Sequence, residues 1–139
     1  MYEQYSRQAL PSKNYRELLG SAICVFNSNN QFVIENILRI DNTNFNWYDL
    51  IDKTSGQLND PIKISITENS NDEIAVLFKS LVDKRNRIID SFQITNEDHQ
   101  ILATKDKSHN QFIITEEYIL DFIKQNELLS SKLYELRGY

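Results

Sequence analysis

Apolar side chains recur at positions 74, 77, 78, 81, 82, 88, 89 and 92, with Arg85 the one charged residue on the stripe. That spacing is the period of one face of an α-helix. Ser70 and Glu73 open the run at capping-box spacing, which would satisfy two orphan amide donors reciprocally. Nothing breaks the pattern before Thr95-Asn96. The expectation is one helix of roughly two dozen residues, about 35 Å long, which would span a small domain. Three glycines and two prolines in 139 residues leave few other breaks, and this also favours helices.

The flanking segments extend that reading. Residues 1–13 form a lead-in to Pro11-Ser12, after which Ser12 or Asn14 caps a helix. From Tyr15 to about Ile40, Leu19, Ala22, Ile23, Phe26, Val33 and Ile37 share one face. The phase holds across the polar stretch 27–31, so one helix is favoured over two, with Asn30 on its buried stripe. Asn27 and Asn30 are then either satisfied polar groups at a kink or part of a site. Asn46 is placed to cap a short helix from Trp47 to Lys53, closed near Ser55-Gly56. Asp60-Pro61 is placed to start another reaching about Thr67. Beyond Thr95-Asn96 the period shortens, and residues 100–105 and 111–115 read as a small β-hairpin around 106–110. Thr115, with Glu116 and Glu117, caps a last helix whose stripe is Ile119, Phe122, Ile123, Leu129, Leu133 and Leu136, closed by Arg137-Gly138. The fold expected is mainly α: one domain over residues 1–139, an antiparallel bundle of four to five helices with one β-hairpin before the last helix.

Composition limits the chemistry. At 40% hydrophobic and 25% charged, this is the balance of a soluble globular chain. The single cysteine, Cys24, sits among apolar neighbours and reads as a buried small hydrophobe. With no disulfide framework or cysteine-based zinc site, a reducing, cytoplasmic setting is expected. Met1–Arg7 lacks a basic region followed by an apolar run, so no signal peptide is expected, and no stretch has membrane-spanning length. The net charge of −5 argues against a protein that grips nucleic acid over its whole surface, but a local basic patch remains compatible with it.

No glycine-rich phosphate loop, His-Glu-x-x-His motif or clustered metal-ligand set occurs, so no cofactor or metal is expected. His99 and His109 both fall at the hairpin and read as exposed turn residues. What remains is the crowd of Lys84, Arg85 and Arg87 in an otherwise acidic chain. An arginine where Leu or Ile would pack costs desolvation unless it is paired or faces a wet groove.

Arg85-Asn86, three further residues and then Asp90 resemble the signature of the HEPN superfamily, which is Arg, a polar residue, three further residues, then His. Arg85 and Asn86 match it, and Asp90 stands where the family has histidine. The flanks are similar to one bacterial branch in the long first helix, with Ala22, Phe26 and Glu35-Asn36-Ile37-Leu38, and in the hairpin after the motif. Active members are metal-independent endoribonucleases in which the motif helices of two protomers meet. The resemblance therefore implies a homodimer with a composite site, RNA as substrate, and a place in toxin or antiphage defence with an antitoxin or defence partner.

Carried over, Arg85 would bind the scissile phosphate, and its guanidinium fork suits that task better than an ammonium. Asn86 would orient neighbouring groups, residue 90 would move a proton to or from ribose hydroxyls, and Lys84, Arg87, Asn27 and Asn30 would contact RNA nearby. A carboxylate at 90 is a poor acid at neutral pH and repels phosphate. Losing a general acid–base removes about 10²–10⁴ in rate, so the chain as written is expected to be inactive or crippled. Asp90 is then an engineered replacement of histidine in a toxic nuclease, or the native residue of a non-catalytic relative. The alternative function is a helical dimerisation or partner-binding module. A purely structural reading pairs Arg87 with Asp83 or Asp90 on a solvated helix face.

Overall fold

The computed structural model describes residues 2–138. In chain order these form β1 (Tyr2–Glu3), β2 (Gln8–Ala9), α1 (Lys13–Ile40), α2 (Trp47–Asp52), α3 (Asn59–Ile62), α4 (Glu73–Ile89), β3 (Phe92–Asn96), β4 (His99–Lys105), β5 (Gln111–Ile113) and α5 (Glu116–Arg137). The fold is mainly α, with five helices among the described residues, and α1, α4 and α5 make its frame.

One phenylalanine from each long helix meets at the centre. The Phe26 ring lies 6.1 Å from that of Phe78 and 6.1 Å from that of Phe122, stacked on both. All three are buried, in one core cluster with Ile34, Ile37, Leu81, Ile119 and Leu129. Lys132 of α5 bonds Glu73 at the start of α4, whereas Lys84, near the end of α4, reaches Gln125 and Asp121, so these helices run antiparallel. α1 and α5 run parallel: Asn14 bonds Glu116 near both starts, and Glu35 pairs with Arg137 near both ends. Between them the buried Asn29 amide donates to the Asn126 carbonyl at 2.8 Å and to its Oδ1 at 3.1 Å.

α1 is continuous, as its unbroken phase requires, and Ser12 caps it by accepting the Tyr15 N–H. Within the polar stretch 27–31 the buried residue is Asn29, not Asn30, which is half-buried; Asn36 is buried further along the helix. Cys24 is exposed rather than buried, because it falls on the side of α1 away from Phe26. Asn46 caps α2 and Thr115 caps α5 through their side chains, and Gly138 closes α5 at φ 93°. Asp60 does not start a helix. A 3-10 turn (Ser55–Leu58) leads into α3 with Leu58 at its cap, and a π turn (Lys63–Thr67) follows. Pro61 is tolerated because the first residues of a helix have no intrahelical acceptor for their amides.

The central helix is shorter than its period suggests. No capping box forms: Ser70 Oγ donates to the Ile66 carbonyl, and Asn71 Oδ1 takes the Glu73 amide. α4 ends at Ile89, where the Asp90 N–H closes onto the Asn86 carbonyl and Ser91 Oγ bonds the Ile88 carbonyl. The chain then enters β3, and a two-residue turn of Glu97 and Asp98, at φ 50° and 65°, returns it as β4. The expected hairpin is thus the β4–β5 half of a three-stranded antiparallel sheet ordered β3-β4-β5. Its register sets Phe92 opposite Ala103 and Ala103 opposite Ile113.

The lead-in also has structure. β1 and β2 pair, and Arg16 clamps them by donating to Glu3, the Tyr5 hydroxyl and the Pro11 carbonyl. Gln93 of β3 reaches across to the Ala9 carbonyl.

Candidate functional site

Lys84, Arg85 and Arg87 are close in sequence, but α4 sends them in three directions. Lys84 Nζ donates to Gln125 Oε1 at 2.7 Å and lies 3.8 Å from Asp121, which ties it to α5. Arg87 Nη1 donates to the Lys105 carbonyl at 2.6 Å and fastens the last residue of β4 to α4. Its Nε is buried without a hydrogen-bond partner among the described residues. Among the described residues neither Asp83 nor Asp90 forms an ion pair with Arg87. The expected pairing along the helix is replaced by a bond to the sheet, since a carbonyl at the end of β4 comes within reach. The field of Arg87 also extends to Asp106, whose carboxyl is held below its ordinary range first by the Asn110 amide and in smaller part by Arg87.

Arg85 turns towards α1. Its guanidinium carbon stands 4.9 Å from the centroid of the Phe26 ring, a cation–π distance. Nε donates to Asn86 Oδ1 at 3.1 Å. The two terminal nitrogens have no hydrogen-bond acceptor among the described residues, and no carboxylate lies within ion-pair distance. The side chain is half-buried. Burial lowers its pKa from the ordinary arginine value, and the field of Asp90 partly opposes this. A partly desolvated guanidinium, oriented through Nε and stacked on a ring, leaves a two-pronged donor for an external anion.

Asp90 is exposed at the C-terminal end of α4, where its backbone amide bonds the Asn86 carbonyl. A carboxylate here meets the negative end of the helix dipole, an unfavourable place for it. Arg85, Asn86 and Asp90 are thus brought together: Asn86 touches Arg85 through its side chain and Asp90 through its backbone. The two amides expected beside them part company. Asn27 is exposed next to Phe26, whereas Asn30 Oδ1 accepts the Ser55 hydroxyl at 2.8 Å and holds the 3-10 turn.

What sequence reasoning missed is the surface around Asp90. Ile89, Phe92 and Ile113 are large apolar residues exposed by 57, 43 and 38%, the last two in one cross-strand row. Assigning Phe92 to the helix hid that row. His99 and His109 are exposed. Among the described residues no group of His, Cys, Asp or Glu is arranged to hold a metal, and no helix is long and apolar enough to cross a membrane. No protein-family model, curated protein or solved structure matches the chain.

Proposed function

We propose that this chain is a HEPN-type endoribonuclease scaffold, crippled for cleavage by Asp90, that receives an RNA phosphate on Arg85. The observation that supports it is the state of that arginine: half-buried, held through Asn86 and Phe26, and paired with no carboxylate. Leaving a desolvated cation unpaired is costly unless an anion visits it. Phosphate matches the free fork, and a 2′-hydroxyl beside it would be the nucleophile, which makes RNA the substrate class. Asn86 keeps the fork aimed. A histidine at position 90 would stand one helical turn from Asn86, placed to move the proton. The reading includes a homodimer with a composite site, cytoplasmic toxin or antiphage action, and restraint by an antitoxin or defence partner.

Fluorescence anisotropy with a short labelled RNA tests it. Binding is expected to weaken by about tenfold or more in Arg85→Ala, the loss of a charge-assisted fork. It should fall less in Lys84→Ala and Arg87→Ala, whose charges already serve the protein. Equal losses at all three positions would count against the reading.

A second reading, a non-catalytic dimerisation or partner-binding module, is favoured by the exposed Ile89, Phe92 and Ile113. Phe92→Ser would then abolish association in light scattering, and Arg85→Ala would leave it intact.

A further inference from the structure

A cavity of about 500 Å³ opens where the N-terminal strap, the first turn of α1, the β3–β4 turn and the start of α5 converge. No residue of α4 lines it, so it is separate from the Arg85 site. Leu10, Ile101 and Tyr15 supply apolar wall. Glu97, at the β3–β4 turn, and Glu116, in the first turn of α5, supply two carboxylates, with His99 between the same elements. None of the nine lining residues is Lys or Arg.

The walls are held in place. The Tyr15 hydroxyl donates to the Ile114 carbonyl at 2.6 Å and accepts the Leu102 amide at 3.3 Å, which locks the ring between α1 and the sheet. Leu10 is carried by the strap that Arg16 and Gln93 fasten through the Pro11 and Ala9 carbonyls. Among the described residues only one Glu116 oxygen is engaged, by Asn14 at 3.0 Å. The charge of Glu116 reaches the wall itself, adding to the burial that pushes the Tyr15 phenol up.

An apolar-walled cavity of this size with a few polar groups is the usual form of a small-molecule site. Its charge selects the ligand. An anion would meet two carboxylates and neither a lysine nor an arginine among the lining residues. A bare metal ion would lack a cage, because Glu97, His99 and Glu116 are not grouped closely enough to chelate one. From this geometry we infer that the cavity binds a small organic ammonium with a hydrocarbon or aromatic body: the body sits on Leu10, Tyr15 and Ile101, and the ammonium faces Glu97 and Glu116. This inference is independent of the ribonuclease reading.

A charge series on one body tests it. Phenethylammonium, 2-phenylethanol and 3-phenylpropionate are titrated into the full chain, followed by ¹⁵N–¹H NMR. The ammonium is expected to shift the Leu10, Gln100 and Ile101 amides saturably, the alcohol to bind about tenfold more weakly, and the acid not to bind. Glu97→Gln with Glu116→Gln should bring the ammonium down to the level of the alcohol. Because Glu116 also lies in the first turn of α5, where its charge favours the helix, Gln100→Arg is a second variant: it sets a cation in the wall, keeps both carboxylates, and is expected to abolish ammonium binding. Equal binding of alcohol or acid, no saturable shift with the ammonium, or ammonium binding unchanged in both variants would each overturn the inference.

Discussion

Arg85 lies over the face of Phe26, and that ring is the hub on which Phe78 and Phe122 stack. The motif arginine is therefore mounted directly on the aromatic centre of the bundle. Its cation–π contact contributes about 1 kcal/mol, but among the described residues no carboxylate lies within ion-pair distance to offset its desolvation. Arg85→Met keeps the apolar stem and removes the charge. It is expected to leave stability unchanged or raise it by up to about 1 kcal/mol in urea unfolding while RNA binding is lost. A marked destabilisation would mean that the guanidinium serves the fold instead.

Asn29 and Asn126 join the parallel pair α1 and α5 inside the core. Asn29→Ala leaves the Asn126 Oδ1 without its buried donor and opens a small void. A loss of about 1–3 kcal/mol is expected from denaturant midpoints. Asn29→Leu combined with Asn126→Leu should recover part of that loss, because both polar groups go together.

The pH dependence at the alkaline end follows from two tyrosines. Burial raises the Tyr15 phenol above its ordinary value; it also raises Tyr118, where nearby Asp83 adds to the effect. A pKa raised by folding means that the unfolded chain ionises first. The contribution is fully present below about pH 10, the unfolded tyrosine value, and is lost as pH rises through the folded pKa values. Unfolding midpoints measured from pH 8 to 11 should fall above about pH 10, and more shallowly in Tyr15→Phe. That variant also costs about 1–2 kcal/mol at neutral pH, since the Ile114 carbonyl and Leu102 amide lose a shared partner.

Much of the frame was legible because helical phase and caps are local. The unbroken stripe of α1, the side-chain caps at Ser12, Asn46 and Thr115, and the glycine at 138 all act within a few residues. β3 was not legible for a definite reason. Phe92 lies four residues beyond Ile88 and so continues the helical stripe, while the turn that makes 92–96 a strand is carried by Glu97-Asp98 rather than a glycine pair. The N-terminal strap depends on Arg16, which reaches back from α1, and on Gln93, far along the chain; neither contact has a signal in the local pattern. Within the site, Arg85 stood out as a cation on an apolar stripe. Its seat on Phe26, and the diversion of Lys84 to α5 and Arg87 to β4, are tertiary facts with no signal in the spacing.

Arg87 offers a structural check on that division of labour. Its bond to the Lys105 carbonyl ties β4 to α4, and Arg87→Ala should lower stability by about 1 kcal/mol, a modest value because the bond is solvent-exposed. Hydrogen exchange should speed up in β4 and β5 before it does in α1. Uniform acceleration would show that the sheet does not depend on this contact.

The most direct test is RNA cleavage by Asp90→His. The position is exposed at a helix C-terminus, where an imidazole is tolerated better than a carboxylate, so the fold should persist. With EDTA present and the dimer verified by light scattering, the account predicts that Asp90→His cuts RNA and that adding Arg85→Ala abolishes the cutting. RNA left intact by a folded, dimeric Asp90→His protein would contradict it.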